Sequence, residues 1–145
     1  MINTVVRQIA FYTFERKVHT ARKQGELTPD QLNAIWLEVQ KESLGEGVEF
    51  GPGYETFWTY IPHFIHSPFY VYAYAFGDCL VNSLYARYLE SDTGFQERYF
   101  ALLKAGGSRH YSELLKPFGL DLKDPQFWQK GLGMISAMID ELETM

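Results

Sequence analysis

The chain has 145 residues, 46% of them hydrophobic and 17% aromatic, with a formal net charge of -5. That length suits one domain, 1–145, with a real core, and so ring-rich a mixture excludes a disordered chain. The acidic balance offers no footprint for nucleic-acid phosphates or anionic lipid, and the apolar run from Pro68 to Gly77 is too short to cross a membrane.

In chain order, Ile2 to Lys23 repeats Val5, Ile9, Tyr12, Arg16 and Phe11, Phe14, Val18 at helical spacing, with Gly25 placed to end the helix. Thr28-Pro29 combines a capping oxygen with a proline at the first helical position. It predicts a second helix to about Ser43 with Leu32, Ile35, Trp36 and Val39 inward. Leu44 to Tyr54, dense in glycine, predicts an ordered loop. The aromatic stretch 54–60 then meets Ile61-Pro62-His63-Phe64, where the proline predicts a turn. Ser67-Pro68 repeats the start signal and predicts a helix from Pro68 to about Glu90, so apolar in its first half that protein should surround it. Asp92 or Thr93 is placed to cap a helix through Lys104, ended by Ala105-Gly106-Gly107, and Ser108 to open a brief helix broken at Pro117. After a turn, Asp124-Pro125 starts the last helix, with Phe127, Trp128, Leu132, Ile135, Met138 and Ile139 inward. No segment alternates at strand period, so the expected fold is all-α, an irregular bundle of about five to six helices.

Only four histidines exist, His19, His63, His66 and His110. A zinc peptidase helix needs His-Glu-x-x-His, two imidazoles one turn apart with a carboxylate to activate water, and this pattern is absent from the sequence. Glu15 with His19, or His63 with His66, would furnish at most two ligands each, so no metal residue is assigned. Cys79, the single cysteine, cannot form an internal disulfide and reads as a small buried hydrophobe, in keeping with a cytoplasmic chain. Asp78 should lie on a wet face or be paired. One imidazole and three phenols, His63, Tyr70, Tyr72 and Tyr74, fall within one turn-plus-helix unit and could hold a carbonyl or its developing oxyanion. Helical spacing would set Tyr70 and Tyr74 together and throw Tyr72 about 160° from Tyr70. Spacing alone equally allows, and on base rate favours, packed core rings with locally satisfied hydroxyls.

Longer stretches carry a resemblance. Arg7-Gln8-Ile9-Ala10-Phe11-Tyr12-Thr13-Phe14-Glu15 with His19, then Trp58 to Phe64, Pro68 to Ala75, Leu103 to Ser108, Glu113-Leu114-Leu115 and Gly119-Leu120-Asp121 together resemble, in order, the C-terminal segment of oligoendopeptidase F, a relative of thimet oligopeptidase. The resemblance implies part of a larger zincin-type helical fold, a zinc metalloendopeptidase that hydrolyses short peptides in an internal channel. It implies His63 and one or two of Tyr70, Tyr72 and Tyr74 as catalytic donors, with Tyr70 and Tyr74 the pair that helical spacing prefers, and His63, His66, Tyr70, Tyr72 and Tyr74 as substrate-binding residues. Zinc would belong to the complete family enzyme and none to this chain, because the family's zinc motif lies upstream of the matched segment. A chain without that motif should be inactive alone. Expected partners are a short peptide, the N-terminal peptidase portion and a second copy in a homo-oligomer, with no nucleic acid and no membrane. The alternatives are a non-catalytic helical module that binds peptides or proteins and, least favoured, a separate metal enzyme using Glu15, His19 and one of the other histidines.

Overall fold

A computed structural model describes residues 2–90 and 93–145, the side chain of Ile2 excepted, so a cap from Asp92 falls outside the described residues. All regular structure among them is helical: α1 (Ile2–Arg22), α2 (Pro29–Leu44), α3 (His63–His66), α4 (Tyr72–Leu89), α5 (Phe95–Ala105), α6 (Tyr111–Leu115) and α7 (Pro125–Glu143), with 3-10 turns at Gly45–Gly47, Tyr54–Tyr60 and Lys116–Phe118. The all-α expectation holds. The chain groups into two compact units, 1–76 and 77–145.

The first unit is built on α1 against α2. Thr28 caps α2 as its sequence signal requires: its hydroxyl accepts the Gln31 amide while the Gln31 side chain takes the Thr28 amide, and Pro29 occupies the first turn. Trp36, fully buried, is the centre of the core, with the rings of Phe11 and Phe14 at 5.5 and 5.3 Å. Its indole N–H donates to the Tyr54 carbonyl at 3.0 Å, so a large ring is buried without orphaning its polar edge. Two further bonds fasten the 54–60 turn to α2: Tyr54 hydroxyl to Gln40 at 3.1 Å and Trp58 indole to Asn33 at 2.8 Å. The chain is thus delivered to Ile61 in a fixed direction. On α1 only one stripe is covered: Val5, Phe11 and Phe14 are buried, whereas Ile9 and Tyr12 are exposed.

In the second unit Leu84, Phe95, Leu115, Phe118, Leu120 and Phe127 form the core. Asp124 caps α7 by accepting the Gln126 amide at 2.9 Å, with Pro125 following as expected. The Ser83 hydroxyl donates to the Phe127 carbonyl at 3.0 Å, and Gly131 comes so near that a Cβ there would lie 2.8 Å from the Cys79 carbonyl oxygen. Asp78 is half-buried and accepts from the Asn82 amide at 3.5 Å, a long contact.

Several boundaries depart from the sequence reading. Pro62 forms a seventh helix, α3, where a turn was expected, because its backbone (φ -65, ψ -24) is already helical and its carbonyl accepts the Ile65 and His66 amides. Ser67-Pro68 does not start α4. Phe69 adopts φ 60, which no helix accommodates, and the helix opens three residues later at Tyr72. Nor is the first half of α4 enclosed by this chain: Tyr72 and Tyr74 are exposed. Gly94 in a left-handed conformation, not Thr93, precedes α5, and His110 rather than Ser108 caps the brief α6. On α7, Phe127 and Ile135 are buried, but Leu132, Met138 and Ile139 are exposed, the apolar stripe being wider than the neighbouring elements cover. No described helix is long and apolar enough to cross a membrane.

Candidate functional site

Pro62 sets His63 at the head of α3, and the chain then turns: Ser67 donates its amide to the His63 carbonyl at 3.0 Å, and Tyr70 donates its own to the Ser67 carbonyl at 3.2 Å. The Tyr70 carbonyl in turn accepts the Ala73 amide at 2.9 Å, which launches α4. Through this tight path three rings meet. The His63 Nε2 lies 3.1 Å from the Tyr74 hydroxyl. Tyr70 lies parallel to the imidazole, 5° between planes and 6.3 Å between centroids, and meets Tyr74 edge-on at 5.7 Å.

The preferred pair, Tyr70 with Tyr74, is therefore brought together, although Tyr70 stands in the turn before the helix and not on it. Tyr72 is directed elsewhere, edge-on to Tyr12 of α1 at 6.0 Å. His66, at the far end of α3, is exposed and joins none of these rings among the described residues. The rings are not sealed in the core: Tyr70 is 53% and Tyr74 41% exposed. An imidazole and two phenols on an open face can donate hydrogen bonds to a bound carbonyl, and a preorganised donor is worth most where negative charge develops.

Sequence reasoning weighed Glu15 as a metal ligand and missed where it acts. Its side chain is only 2% exposed, and Oε1 accepts the Phe69 amide at 2.8 Å across 54 residues of chain. Burial pushes the Glu15 carboxyl above its ordinary range, opposed by the Phe69 amide and by the charges of His19 and His63. The available signal was its register: Glu15 falls four after Phe11 and three before Val18, on the apolar stripe of α1. Beside it a mainly apolar cavity of about 330 Å³ is lined by Phe14, Val18, Trp58 and Ile65, with Glu15, His19 and Arg22 as polar edges. His19 packs its ring on Phe69 at 4.6 Å.

No group of three or more His, Cys, Asp or Glu among the described residues could hold a metal ion. Of the pair weighed as ligands, Glu15 accepts the Phe69 amide through Oε1 and His19 lies against the Phe69 ring, and no third such donor joins them among the described residues. These residues do not fit a zinc centre. His110 is used locally, its Nδ1 lying 2.7 Å from the Ser112 hydroxyl at the start of α6. Burial, and secondarily Asp78, pushes the Cys79 thiol up, away from nucleophilic use.

The sequence profile of peptidase family M3 matches residues 1–134. The chain is 33% identical to oligopeptidase PepF of Bacillus subtilis (strain 168) over 98% of its length, and 31% identical to the plasmid oligoendopeptidase F of Lactococcus lactis subsp. cremoris over the same share. It spans 21% and 24% of those relatives. The crystal structure of a chain assigned as a peptidase from Chlamydophila abortus superposes with a TM-score of 0.84 at 33% identity, covering 98% of this chain and 24% of that one.

Proposed function

Because this chain belongs to peptidase family M3, we propose that it forms the substrate-binding part of a zinc metalloendopeptidase of the oligoendopeptidase F type, which hydrolyses short peptides. The single observation that supports this is the exposed junction of His63, Tyr70 and Tyr74, three hydrogen-bonding rings within contact of one another. In this reading they grip the scissile carbonyl and stabilise the negative charge that grows on its oxygen. His66 and Tyr72 lie outside the junction and serve the flanking peptide. Residues 1–145 act as one domain of the enzyme.

In this reading the zinc and the attacking water belong to the remainder of the enzyme: the sequence lacks His-Glu-x-x-His, and no group of three or more His, Cys, Asp or Glu among the described residues could hold a metal ion. The chain alone is therefore inactive. Its partners are a short peptide and the N-terminal peptidase portion, with a homo-oligomer formed through exposed apolar residues. The location is cytoplasmic.

A quenched peptide substrate tests the proposal, added with zinc to the purified chain and, separately, to its complex with the N-terminal portion. Turnover only in the complex is expected, and His63→Ala in that complex should lower kcat about 100-fold while leaving bound zinc unchanged. Turnover by the lone chain, or an unaffected His63→Ala complex, overturns it. Tight peptide binding with no turnover in either preparation would favour a non-catalytic peptide-binding module.

A further inference from the structure

Phe69 is the only non-glycine residue with positive φ among those described. A left-handed backbone is costly for a side chain with a Cβ, and it persists where the surroundings over-determine it. Two side chains of α1, one turn apart, do so here. Glu15 takes the Phe69 amide at 2.8 Å, and His19 lies against the Phe69 ring at 4.6 Å. Glu15 is itself an anomaly. Its carboxyl group is buried beside Phe14, Val18, Trp58 and Ile65, with His19 and Arg22 on the same cavity, and is costly unless its oxygens are satisfied, yet among the described residues Oε2 has no hydrogen-bond partner and Oε1 has only the Phe69 amide. A buried acid with one partner, and that partner the one strained amide, is arranged for that amide.

What the strain achieves is visible one residue on. The left-handed step at Phe69 reverses the chain, so that the Tyr70 amide reaches back to the Ser67 carbonyl at 3.2 Å and the Tyr70 ring returns parallel to His63. An extended residue at 69 would open this turn and send Tyr70 away from the imidazole. We infer that Glu15 is a positioning residue: through the Phe69 amide it holds the turn that places the Tyr70 ring beside His63 and Tyr74. This rests on the proposed role of those rings for its catalytic meaning, but not for its geometry.

Nuclear magnetic resonance on the isotope-labelled 145-residue chain tests the geometry without any turnover. In the wild type the Phe69 amide should resist hydrogen exchange, although Tyr70 beside it is exposed, and the Tyr70 and His63 rings should give a mutual nuclear Overhauser contact. Compared at a pH high enough to ionise the wild-type carboxyl, Glu15→Gln keeps an acceptor and should retain the ring contact while shifting the Phe69 amide proton upfield, a neutral acceptor being weaker. Glu15→Leu should lose both amide protection and ring contact. In the complete enzyme Glu15→Leu should lower kcat at least about 10-fold with KM changed less than about threefold, the split expected of a lost transition-state donor.

A wild-type Phe69 amide that exchanges freely, a Phe69 amide shift untouched by Glu15→Gln, or a folded Glu15→Leu chain that keeps the ring contact overturns the inference. If Glu15→Leu does not fold, the first two measurements still decide. If the ring contact depends on Glu15 but Tyr70→Phe leaves turnover of the complete enzyme intact, positioning stands and the catalytic reading of the rings falls. If Tyr70→Phe abolishes turnover while Glu15→Leu keeps the contact, the reverse holds.

Discussion

The Tyr74 hydroxyl lies 3.1 Å from His63 Nε2, whereas Tyr72, two residues earlier on the same helix, turns its ring to Tyr12 of α1. Two phenols two positions apart are therefore given different neighbours, because two helical steps of about 100° each put them on opposite faces. On the role proposed for these rings, Tyr74→Phe in the complete enzyme should lower kcat by about 100- to 1000-fold, the loss expected for one oxyanion donor, and Tyr72→Phe by less than about threefold. Steady-state kinetics on a quenched peptide checks this, and equal losses in the two variants would contradict the assignment.

Gly131 and Gly133 stand two residues apart on α7 with opposite surroundings. A Cβ at 131 would lie 2.8 Å from the Cys79 carbonyl oxygen and 3.0 Å from the Ser83 hydroxyl, whereas one at 133 meets nothing within 4 Å. Gly131→Ala should destabilise by about 1–3 kcal/mol, because a backbone carbonyl cannot move aside. Gly133→Ala should stabilise by up to about 1 kcal/mol through helix propensity. Urea midpoints moving in opposite directions would bear this out.

Glu15, with its carboxyl pushed up by burial, binds its proton more tightly in the folded chain than in the unfolded one. Its contribution to stability is full below the ordinary carboxylate range and is lost as pH rises through the raised folded value. Glu15→Gln removes this dependence, so the stability of the variant relative to wild type should climb with pH across that window. Urea titrations at a series of pH values report it, and a parallel pair of curves would refute it.

The exposed carboxylate of Glu90 behaves in the opposite sense. Hydrogen bonds from Lys130, 2.8 Å away, and from Arg87 hold it below the ordinary range. Its contribution is present above the unfolded value and is lost as pH falls through the lowered folded value. Glu90→Gln should therefore flatten the acid limb of the stability profile, by a small amount that high salt reduces further.

Cys79 is buried, and its thiol is pushed up by burial and then by Asp78. Alkylation with iodoacetamide near neutral pH should proceed at least about 10-fold faster in denaturant than in buffer, since the thiolate is the nucleophile. Equal rates, followed by mass spectrometry, would show the thiol accessible.

Where a local device sets the structure, the residues announce it. Thr28-Pro29 and Asp124-Pro125 cap α2 and α7 by hydrogen bonds that reach only two or three positions along the chain. Ser67-Pro68 carries the same letters, yet a contact from 54 residues away overrides them by holding Phe69 left-handed. That contact cannot be read from spacing, though an acid placed on the apolar stripe of α1 between Phe11 and Val18 was a visible oddity. The separation of Tyr72 from the other rings was legible, because the helix step fixes it. The stacking of Tyr70 on His63 was not, because it depends on the path of an irregular turn.

The first amides of α4 are taken up by the carbonyls of Tyr70 and Val71, the former within the turn that Glu15 braces. Tyr74 thus stands on the end of a helix, where fraying begins, and not in its rigid middle. A ligand that bridged Tyr70 and Tyr74 would splint that end, so its arrival should be felt as slower amide opening along the opening turn of α4.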